Sequence, residues 1–259
     1  MIGVRGVKAR WAKEDIIAAY ALYCITPLNK INPSNKLIKQ VAEICNKSTS
    51  SFVMRMRNFQ YLDPLANEGG KKGLAHVAKT DKQIFEQFRN DWGNLSSEAE
   101  SIIKLNIFEA TPEKGAKRLS SLTDRNKVNR ERIAFRKYVE AAYNSKCCIS
   151  GMEIATLLRA SHIKPFNQCK NTNERTNPRN GLLLNTLYDD AFDKGLITIT
   201  KDYRIWVSAV VKSHSDNNFT KELLINLEGS RIILPRDCYP SPEYLEYHND
   251  LIFKGDHNQ

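Results

Sequence analysis

The sequence contains no Cys-x-x-Cys pair and no apolar run long enough to cross a membrane. Structural zinc sites draw on closely spaced cysteine pairs, so we expect no structural zinc. The amino-terminal residues lack the apolar core of a signal peptide, and scattered cysteines are typical of a reducing compartment. The adjacent Cys147 and Cys148 are expected to be one buried and one outward-facing thiol. These absences predict a cytoplasmic protein with no membrane partner.

Acidic residues are fewer than basic residues, and the whole difference lies in the first half of the chain. The formal net charge is +10. Residues 1–140 contain 25 Lys and Arg against 15 Asp and Glu, whereas residues 141–259 contain 14 of each. The first half is therefore the expected source of affinity for phosphate. Its most basic stretch, residues 114–137, is interpreted either as a phosphate-contacting strip or as a solvated linker.

Helical periodicity dominates the amino-terminal part of the chain. We predict amphipathic helices over Arg10–Ile25, Lys36–Cys45, Thr49–Phe59 and Asp81–Leu95. The second and third are separated by a short break, as in a helix-turn-helix, whose second helix enters the major groove of DNA. A plain helical hairpin with solvated arginines is the alternative. The side chains expected to contact DNA are Lys47, Ser50, Ser51, Arg55 and Arg57, and the last four are expected on or near the outer side of the second helix.

One stretch in the second half, residues 159–200, combines a histidine, an asparagine and a pair of aspartates. An apolar run leads to His162, a polar loop follows, and Asn180 precedes a second apolar run. A helix-like segment then carries Asp189 and Asp193, and a spacing of four residues places both carboxylates on one helical face. The predicted order of elements is strand, loop, strand, helix.

These residue types suit the hydrolysis of a phosphodiester bond. Histidine is the side chain whose ordinary pKa lies nearest neutrality, so it can act as the base that activates water. Two carboxylates on one face suit a hard cation such as Mg²⁺ or Mn²⁺, which would neutralise charge on the phosphate and the leaving oxygen. Each feature alone is more often structural. Their combination indicates a nuclease site.

The motifs together resemble the HNH, or ββα-metal, endonuclease family. They are His-Ile-Lys-Pro at 162–165, Asn-Gly-Leu-Leu-Leu at 180–184 and Asp-Asp-Ala-Phe-Asp-Lys-Gly-Leu-Ile at 189–197. The resemblance extends to Phe135-Arg136 and to Cys148-Ile149-Ser150-Gly151 upstream, and to residues 244–248 downstream, so it covers roughly the second half of the chain.

The resemblance implies a role for each residue of the site. His162 would be the general base, and Asn180 would orient the loop and the histidine. Asp189 would take the family's metal-ligand position, with Asp193 as a second ligand. Many family members carry a metal-binding Asp or His directly before the catalytic histidine, whereas this chain has Ser161.

The amino-terminal region is also similar to part of a known group. Residues 58–64 and 70–74 resemble the corresponding region of HNH proteins described as restriction endonucleases, which implies a restriction-type defence role. The predicted fold class is α+β. It comprises a helical, helix-turn-helix-like DNA-binding domain (1–95), a basic linker (96–129) and a ββα-metal HNH nuclease domain (130–259).

The expected partner is double-stranded DNA, and a homodimer would suit cleavage of both strands. One alternative is a non-catalytic helix-turn-helix regulator that retains an HNH fold. Another is a nicking or RNA-directed enzyme. Beyond the nuclease motif we predict a hairpin of Leu196–Thr200 with Tyr203–Val211, a strand over Arg231–Leu234 and a last helix from Ser241. His248 on that helix either packs or lies near the site, and packing is favoured.

Overall fold

The computed structural model of the protein describes residues 10–63, 77–104 and 124–255, with side chains of the last range from residue 127 onward. The chain forms two compact units, Met1–Lys127 and Val128–Gln259. The fold mixes helices with two small antiparallel sheets, and both sheets lie in the second unit. The predicted motif at 70–74 and most of the predicted linker lie outside the described residues.

The first unit is helical in its described residues, and one helix forms its centre. Every residue of this helix, α1, is buried from Ile16 to Ile25. The predicted one-sided apolar stripe is therefore wrong, because a helix enclosed by its neighbours must be apolar on all faces. Those neighbours include α3, α4 and α5. The helices of this unit are α1 Lys13–Ile25, α2 Lys36–Ile44, α3 Thr49–Leu62, α4 Lys79–Phe88 and α5 Trp92–Ile103.

The single helix predicted over Asp81–Leu95 is in fact two helices. α4 ends at Phe88, and the side chain of Asp91 then caps α5 by accepting a hydrogen bond from the Asn94 backbone N–H. Such a carboxylate satisfies an amide that has no partner within the helix. α5 continues to Ile103, so residues 96–103, expected in the linker, are helical and belong to the first unit.

α2 and α3 form the predicted pair of helices with a short connection. The Ser48 side chain caps α3 by accepting a hydrogen bond from the Ser51 backbone N–H at 3.2 Å. Phe52, Met56 and Phe59 are fully buried on the inner face of α3, as its periodicity predicts. The hairpin is therefore anchored to α1 through aromatic and aliphatic side chains.

The second unit contains the predicted strand, loop, strand and helix. β1 pairs with β2 in antiparallel register, with His162 at the end of β1 opposite Gly181 at the start of β2. α8 follows β2 directly, and β3 pairs with β4 as a separate hairpin. The elements are α6 Asp124–Ala142, which belongs to this unit from Val128 onward, β1 Leu158–His162, α7 Thr172–Thr176, β2 Gly181–Asn185, α8 Thr186–Asp193, β3 Ile197–Ile199, β4 Ile205–Val207, α9 Ala209–Lys212, α10 Asn218–Leu223 and α11 Pro242–Leu251.

The core of the second unit lies between α6, the β1–β2 hairpin and α8. Gly181 shows how close α6 lies to the hairpin. A Cβ atom at this position would overlap Val139 Cγ2 and would stand 2.9 Å from Phe135 Cζ. The glycine of the Asn-Gly pair is therefore required for packing, and α6 is held directly behind the end of β1.

Three further predictions for the second unit are corrected. Cys147 and Cys148 are both fully buried, and the Cys147 thiol accepts a hydrogen bond from the Asn185 backbone N–H. Residues 231–234 form no strand but one isolated bridge, between Arg204 and Arg231. The predicted strand over Tyr203–Val211 is short, because Ser208 caps α9 immediately after β4. In the described ranges, no helix has the length and apolar character that a membrane crossing requires.

Candidate active site

A cleft of about 530 Å³ opens beside the end of β1 in the second unit. It brings together His162, Asp189 and Asp193, three of the four residues predicted for the nuclease site. Its walls come from α6, β1, the loop after β1, α8 and the end of α11. The lining residues are Arg132, Phe135, Arg136, Arg159, Ala160, Ser161, His162, Pro165, Phe166, Asp189, Asp193, His248 and Ile252.

His162 is half-buried and held on three sides. Its ring stacks on Phe135 of α6 at a centroid distance of 3.5 Å, and the ring of Phe166 meets it edge-on at 5.6 Å. Its Nε2 lies 2.9 Å from the carbonyl oxygen of Arg175 in α7. A carbonyl can only accept a hydrogen bond, so Nε2 carries the proton of the neutral ring and Nδ1 carries the lone pair.

The surroundings of His162 favour the neutral imidazole. Burial lowers its pKa to about 4, and the positive charge of Arg132 adds to this effect, while the hydrogen bond to the Arg175 carbonyl opposes it. The ring is therefore neutral at neutral pH, which is the state a general base requires. Nδ1 has no hydrogen-bonding partner among the described residues.

Asn180 lies outside the cleft lining and is fully buried. Its side chain accepts a hydrogen bond from the Lys164 backbone N–H at 2.8 Å and donates one to the Lys164 carbonyl at 3.1 Å. Its own carbonyl accepts a hydrogen bond from the Ile163 N–H at 2.9 Å. Asn180 thus ties the start of β2 to the two residues that follow His162, an arrangement compatible with the predicted orienting role.

Asp189 and Asp193 both face the cleft from α8, whereas Asp190 points elsewhere. Asp190 is exposed and pairs with Lys194 at 3.5 Å. Burial and the charge of Asp193 raise the pKa of Asp189. Partial burial and the charge of Asp190 raise the pKa of Asp193, and a hydrogen bond from Ser161 lowers it. The carboxylates of Asp189 and Asp193 therefore lie on one face of α8, and their negative charge is only partly neutralised by neighbouring groups.

The carboxylate pair fits a hard divalent cation. Oxygen ligands suit Mg²⁺ and Mn²⁺, and Mg²⁺ is commonly held by one or two carboxylates together with substrate phosphate and water. A bound cation would also relieve the repulsion between Asp189 and Asp193. In the parts of the chain that the structure describes, no group of three or more His, Cys, Asp or Glu side chains is arranged as a metal site. The protein's own donors here are these two carboxylates.

Ser161 links β1 to the carboxylate pair. It directly precedes His162, and its hydroxyl donates a hydrogen bond to Asp193 Oδ1 at 3.3 Å. Ser161 is itself buried. The hydrogen bond from Ser161 therefore helps to orient the Asp193 carboxylate.

Three arginines line the cleft, and they differ in their partners. Arg136 is paired with Glu140 at 2.7 Å, and Arg159 donates to the backbone carbonyls of Thr156 and Leu158. Arg132 is exposed, and its guanidinium lies 4.7 Å above the ring of Phe166. It has no hydrogen-bond acceptor within the described ranges, so its donors can turn toward an anion in the cleft.

Several residues of the site carried no signal in the sequence. Arg175 contributes a backbone carbonyl, which no side-chain pattern can indicate. Glu131 is buried under α7 and bonds to Thr172 and Arg175, although its segment was interpreted as part of a basic strip. Phe166 follows a proline in a polar loop. The sequence shows Glu131 only as an acidic residue within a basic stretch, and its burial is known only from the structure.

His248, the second histidine at this end of the unit, is a packing residue. It is 1% exposed and stacks on Phe192 at 3.7 Å. Its Nε2 lies 3.0 Å from the Phe192 carbonyl and its Nδ1 lies 2.8 Å from Thr198 Oγ1. Burial lowers its pKa to about 4. It therefore fastens α11 to α8 and β3, as the favoured interpretation predicted, while one edge borders the cleft.

Two of the basic residues predicted to face DNA are instead held within the first unit. Lys47 pairs with Asp15 at 2.9 Å and is only 8% exposed. Arg55 pairs with Asp81, which is fully buried, and its guanidinium lies 4.3 Å above the ring of Trp11. The expected outward placement is wrong for Arg55, because the buried carboxylate of Asp81 requires a paired charge. Contact of Lys47 and Arg55 with DNA stays a prediction.

The other three predicted DNA contacts lie at the surface of α3. Ser50 and Arg57 are exposed, and Ser51 is half-buried. Arg57 bonds to the Gln60 side chain and to the Ile31 carbonyl. Contact of these residues with DNA stays a prediction.

Comparison with known families identifies part of the chain. Residues 147–200 match the family model described as HNH endonuclease. This segment includes β1, β2, α8 and β3, and therefore His162, Asn180, Asp189 and Asp193. No curated protein matches the chain significantly. This part of the chain is therefore similar to HNH endonuclease domains, and the similarity suggests nuclease activity on nucleic acid.

Proposed function

We propose that the chain is a divalent-metal-dependent endonuclease that hydrolyses phosphodiester bonds of double-stranded DNA. One observation carries the proposal. A neutral histidine, with Nε2 bonded to a backbone carbonyl and Nδ1 unpartnered among the described residues, lines the same cleft as two carboxylates on one helical face. A base and a pair of hard oxygen ligands are the groups that this hydrolysis needs.

The proposed chemistry follows from the state of His162. Nδ1 of the neutral ring takes a proton from a water molecule, and the water oxygen attacks phosphorus in line with the leaving oxygen. The bond between phosphorus and the leaving oxygen breaks, and that oxygen takes up a proton from solvent. The positive charge that then forms on the imidazole is spread to Nε2, whose N–H is already bonded to the Arg175 carbonyl at 2.9 Å. Phe135 and Phe166 hold the ring plane, so the base is positioned before the substrate arrives.

Asp189 and Asp193 would hold the cation in this scheme. When bound, a divalent cation supplies charge that stabilises the phosphate and its leaving oxygen. Ser161 steadies Asp193 through its hydrogen bond. Arg132 would bind a phosphate oxygen of the same strand, because its guanidinium is exposed and already placed beside His162.

We further propose that the first unit supplies affinity for duplex DNA. Its excess of basic residues supports binding to phosphate, and Ser50, Ser51 and Arg57 are the contacts expected from α3. Lys47 and Arg55 would act by holding that surface in place. The resemblance of the amino-terminal residues to restriction endonucleases supports a restriction-type role, for which a homodimer would place one cleft on each strand.

Digestion of supercoiled plasmid tests the proposal. We expect cleavage in the presence of Mg²⁺ or Mn²⁺ and none in excess EDTA. Linear product would indicate cutting of both strands, and open-circular product would indicate nicking. DNA binding without cleavage under every metal condition would overturn the enzyme and favour the non-catalytic regulator. Cleavage of RNA but not DNA would overturn the substrate assignment.

A second experiment addresses the restriction-type role. Methylated and unmethylated genomic DNA are digested in parallel, and the cut ends are sequenced. A restriction-type enzyme should cut at a defined sequence and should discriminate between the two preparations. Random ends at equal frequency in both preparations would contradict this role while leaving the nuclease assignment intact.

A further inference from the structure

Glu131 contacts α7, the short helix whose Arg175 carbonyl meets His162. Glu131 lies on α6 and is 4% exposed. Its Oε1 accepts a hydrogen bond from Thr172 Oγ1 at 2.7 Å, and its Oε2 accepts one from Arg175 Nη1 at 3.3 Å. One buried carboxylate thus holds the first turn of α7 and the residue whose carbonyl meets His162.

α7 needs such an anchor because of its length. A helix of five residues, Thr172–Thr176, is not stable on its own. The conformational entropy lost in forming the first turn exceeds the stabilisation from its hydrogen bonds. A further contact runs to the loop that follows β1, where Lys164 pairs with Glu174 at 2.8 Å. Glu131 connects α7 to α6 through two side-chain hydrogen bonds.

The last turn of a helix leaves carbonyl groups without partners inside the helix. Arg175 lies in that turn, so its carbonyl is available to another donor, and His162 Nε2 is the donor that it meets. The position of this oxygen is set by where α7 sits on α6. Arg175 therefore bonds to Glu131 through its side chain and to His162 through its backbone carbonyl. A contact that holds the side chain also holds the carbonyl.

We propose that Glu131 is a positioning residue that fixes the Nε2–H tautomer of His162 by holding Thr172 and Arg175. The proposal rests on the proposed function in one respect, that His162 acts as the base through Nδ1. Without the carboxylate, α7 shifts on α6, the Arg175 carbonyl leaves Nε2, and the ring populates the Nδ1–H tautomer. In that tautomer Nδ1 has no lone pair with which to accept a proton.

The test combines nitrogen NMR of the imidazole with cleavage kinetics, using the full chain. In the wild type, spectra of ¹⁵N-histidine protein should show His162 as a single Nε2–H tautomer. In Glu131→Ala the two ring nitrogens should move toward averaged shifts, and kcat should fall about tenfold, the lower end of the cost of losing an outer partner of a functional histidine. KM should change little, because Glu131 touches no substrate.

Matched variants separate positioning from a general loss of structure. Glu153→Ala removes the same charge from an exposed pair with Lys146 and should leave both the tautomer and kcat unchanged. Glu131→Gln keeps the shape and one acceptor, so it should restore most of the Nε2–H signal and of kcat. Thr172→Val removes one of the two contacts, and it should shift the tautomer in the same direction as Glu131→Ala even where the alanine variant fails to fold.

The outcomes distinguish this inference from the proposed function. The imidazole spectra need no substrate, so a wild type that cuts nothing would overturn the nuclease while leaving the tautomer result to stand. An unshifted Nε2–H signal in Thr172→Val and in folded Glu131→Ala, with kcat equal to that of Glu153→Ala, would overturn the positioning role.

Discussion

The end of β1 and the junction of α11 with β3 each hold a histidine, and the two are held in almost the same way. His162 stacks on Phe135 at 3.5 Å, and His248 stacks on Phe192 at 3.7 Å. Each ring directs Nε2 at a backbone carbonyl, at 2.9 and 3.0 Å respectively. Burial lowers both pKa values to about 4. Stacking, a carbonyl partner and a lowered pKa therefore do not distinguish a base from a packing residue.

The second nitrogen makes the difference. Nδ1 of His248 lies 2.8 Å from the Thr198 hydroxyl inside the core, so this nitrogen already has a partner within the protein. Nδ1 of His162 has no such partner within the described ranges, and the ring lines a cleft with Asp189 and Asp193. The same arrangement of stacked ring and carbonyl partner is structural at His248 and suited to catalysis at His162. The difference is that Nδ1 of His162 is left to meet a ligand.

The largest effect is expected from removing the proposed base. His162→Ala should lower single-turnover cleavage by about 10² to 10⁴-fold, the usual contribution of a general base. DNA affinity should stay near that of the wild type, because the base acts in the chemical step. Cleavage is measured on plasmid, and affinity is measured by titration of labelled duplex without added metal. A variant that cuts at the wild-type rate would end the assignment.

The carboxylates should show the next largest effects. Asp189→Ala and Asp193→Ala should each raise the metal concentration needed for half-maximal cleavage, and excess Mn²⁺ should partly rescue Asp193→Ala. Asp189→Ala should be harder to rescue, because Asp189 is less exposed and occupies the position that the family resemblance assigns to the metal ligand. The measurement is a metal titration of the cleavage rate.

Asp190→Ala is the matched control for the carboxylates. It removes the same charge from the same helix, but Asp190 pairs with Lys194 at the surface. We expect wild-type cleavage. An inactive Asp190→Ala beside an active Asp189→Ala would show that α8 presents a different face to the substrate.

Substitution of His248 should lower the stability of the second unit more than it lowers the cleavage rate. His248→Ala removes a stacked ring and two hydrogen bonds from the core, so it should lower the free energy of unfolding by about 2 to 4 kcal/mol. Denaturation followed through the amide signals of residues 197–207 reports on this unit. A fully stable variant whose cleavage is abolished would make His248 part of the chemistry and would break the contrast with His162.

Acid should destabilise the second unit, because the imidazole of His248 is buried in its neutral form. The pKa of His248 is about 4 in the folded protein against an ordinary 6.5, so the unfolded chain binds more protons between these values. Stability is therefore complete above pH 6.5 and falls as the pH drops toward 4, by on the order of 3 kcal/mol for this residue. In His248→Gln, which cannot titrate, the fall over that range should be smaller. An equal fall in both proteins would assign the acid sensitivity to other groups.

The sequence predicted the part of the site that side chains encode. A histidine after an apolar run, an Asn-Gly before a second run and aspartates four apart specify the β1–β2 hairpin and the inner face of α8. What it did not predict depends on backbone atoms and on distant partners. The Arg175 carbonyl lies 13 residues from His162, and no pattern indicates where a carbonyl points.

The errors in the first unit have a related cause. The apolar positions of α1 were interpreted as one stripe, but enclosure by other helices buries all of its faces. Arg55 was expected to face solvent because arginines usually do. Its partner, the buried Asp81, lies 26 residues away on α4, and a pairing over that separation is decided by tertiary packing.

The central claim is that one of two similarly held histidines does the chemistry. The most direct test compares single-turnover plasmid cleavage by His162→Ala and His248→Ala, each scaled to its folded fraction, at saturating Mg²⁺. We expect His162→Ala to lose nearly all activity while folded His248→Ala retains most of it. Equal losses in the two variants, or a larger loss in His248→Ala, would contradict it.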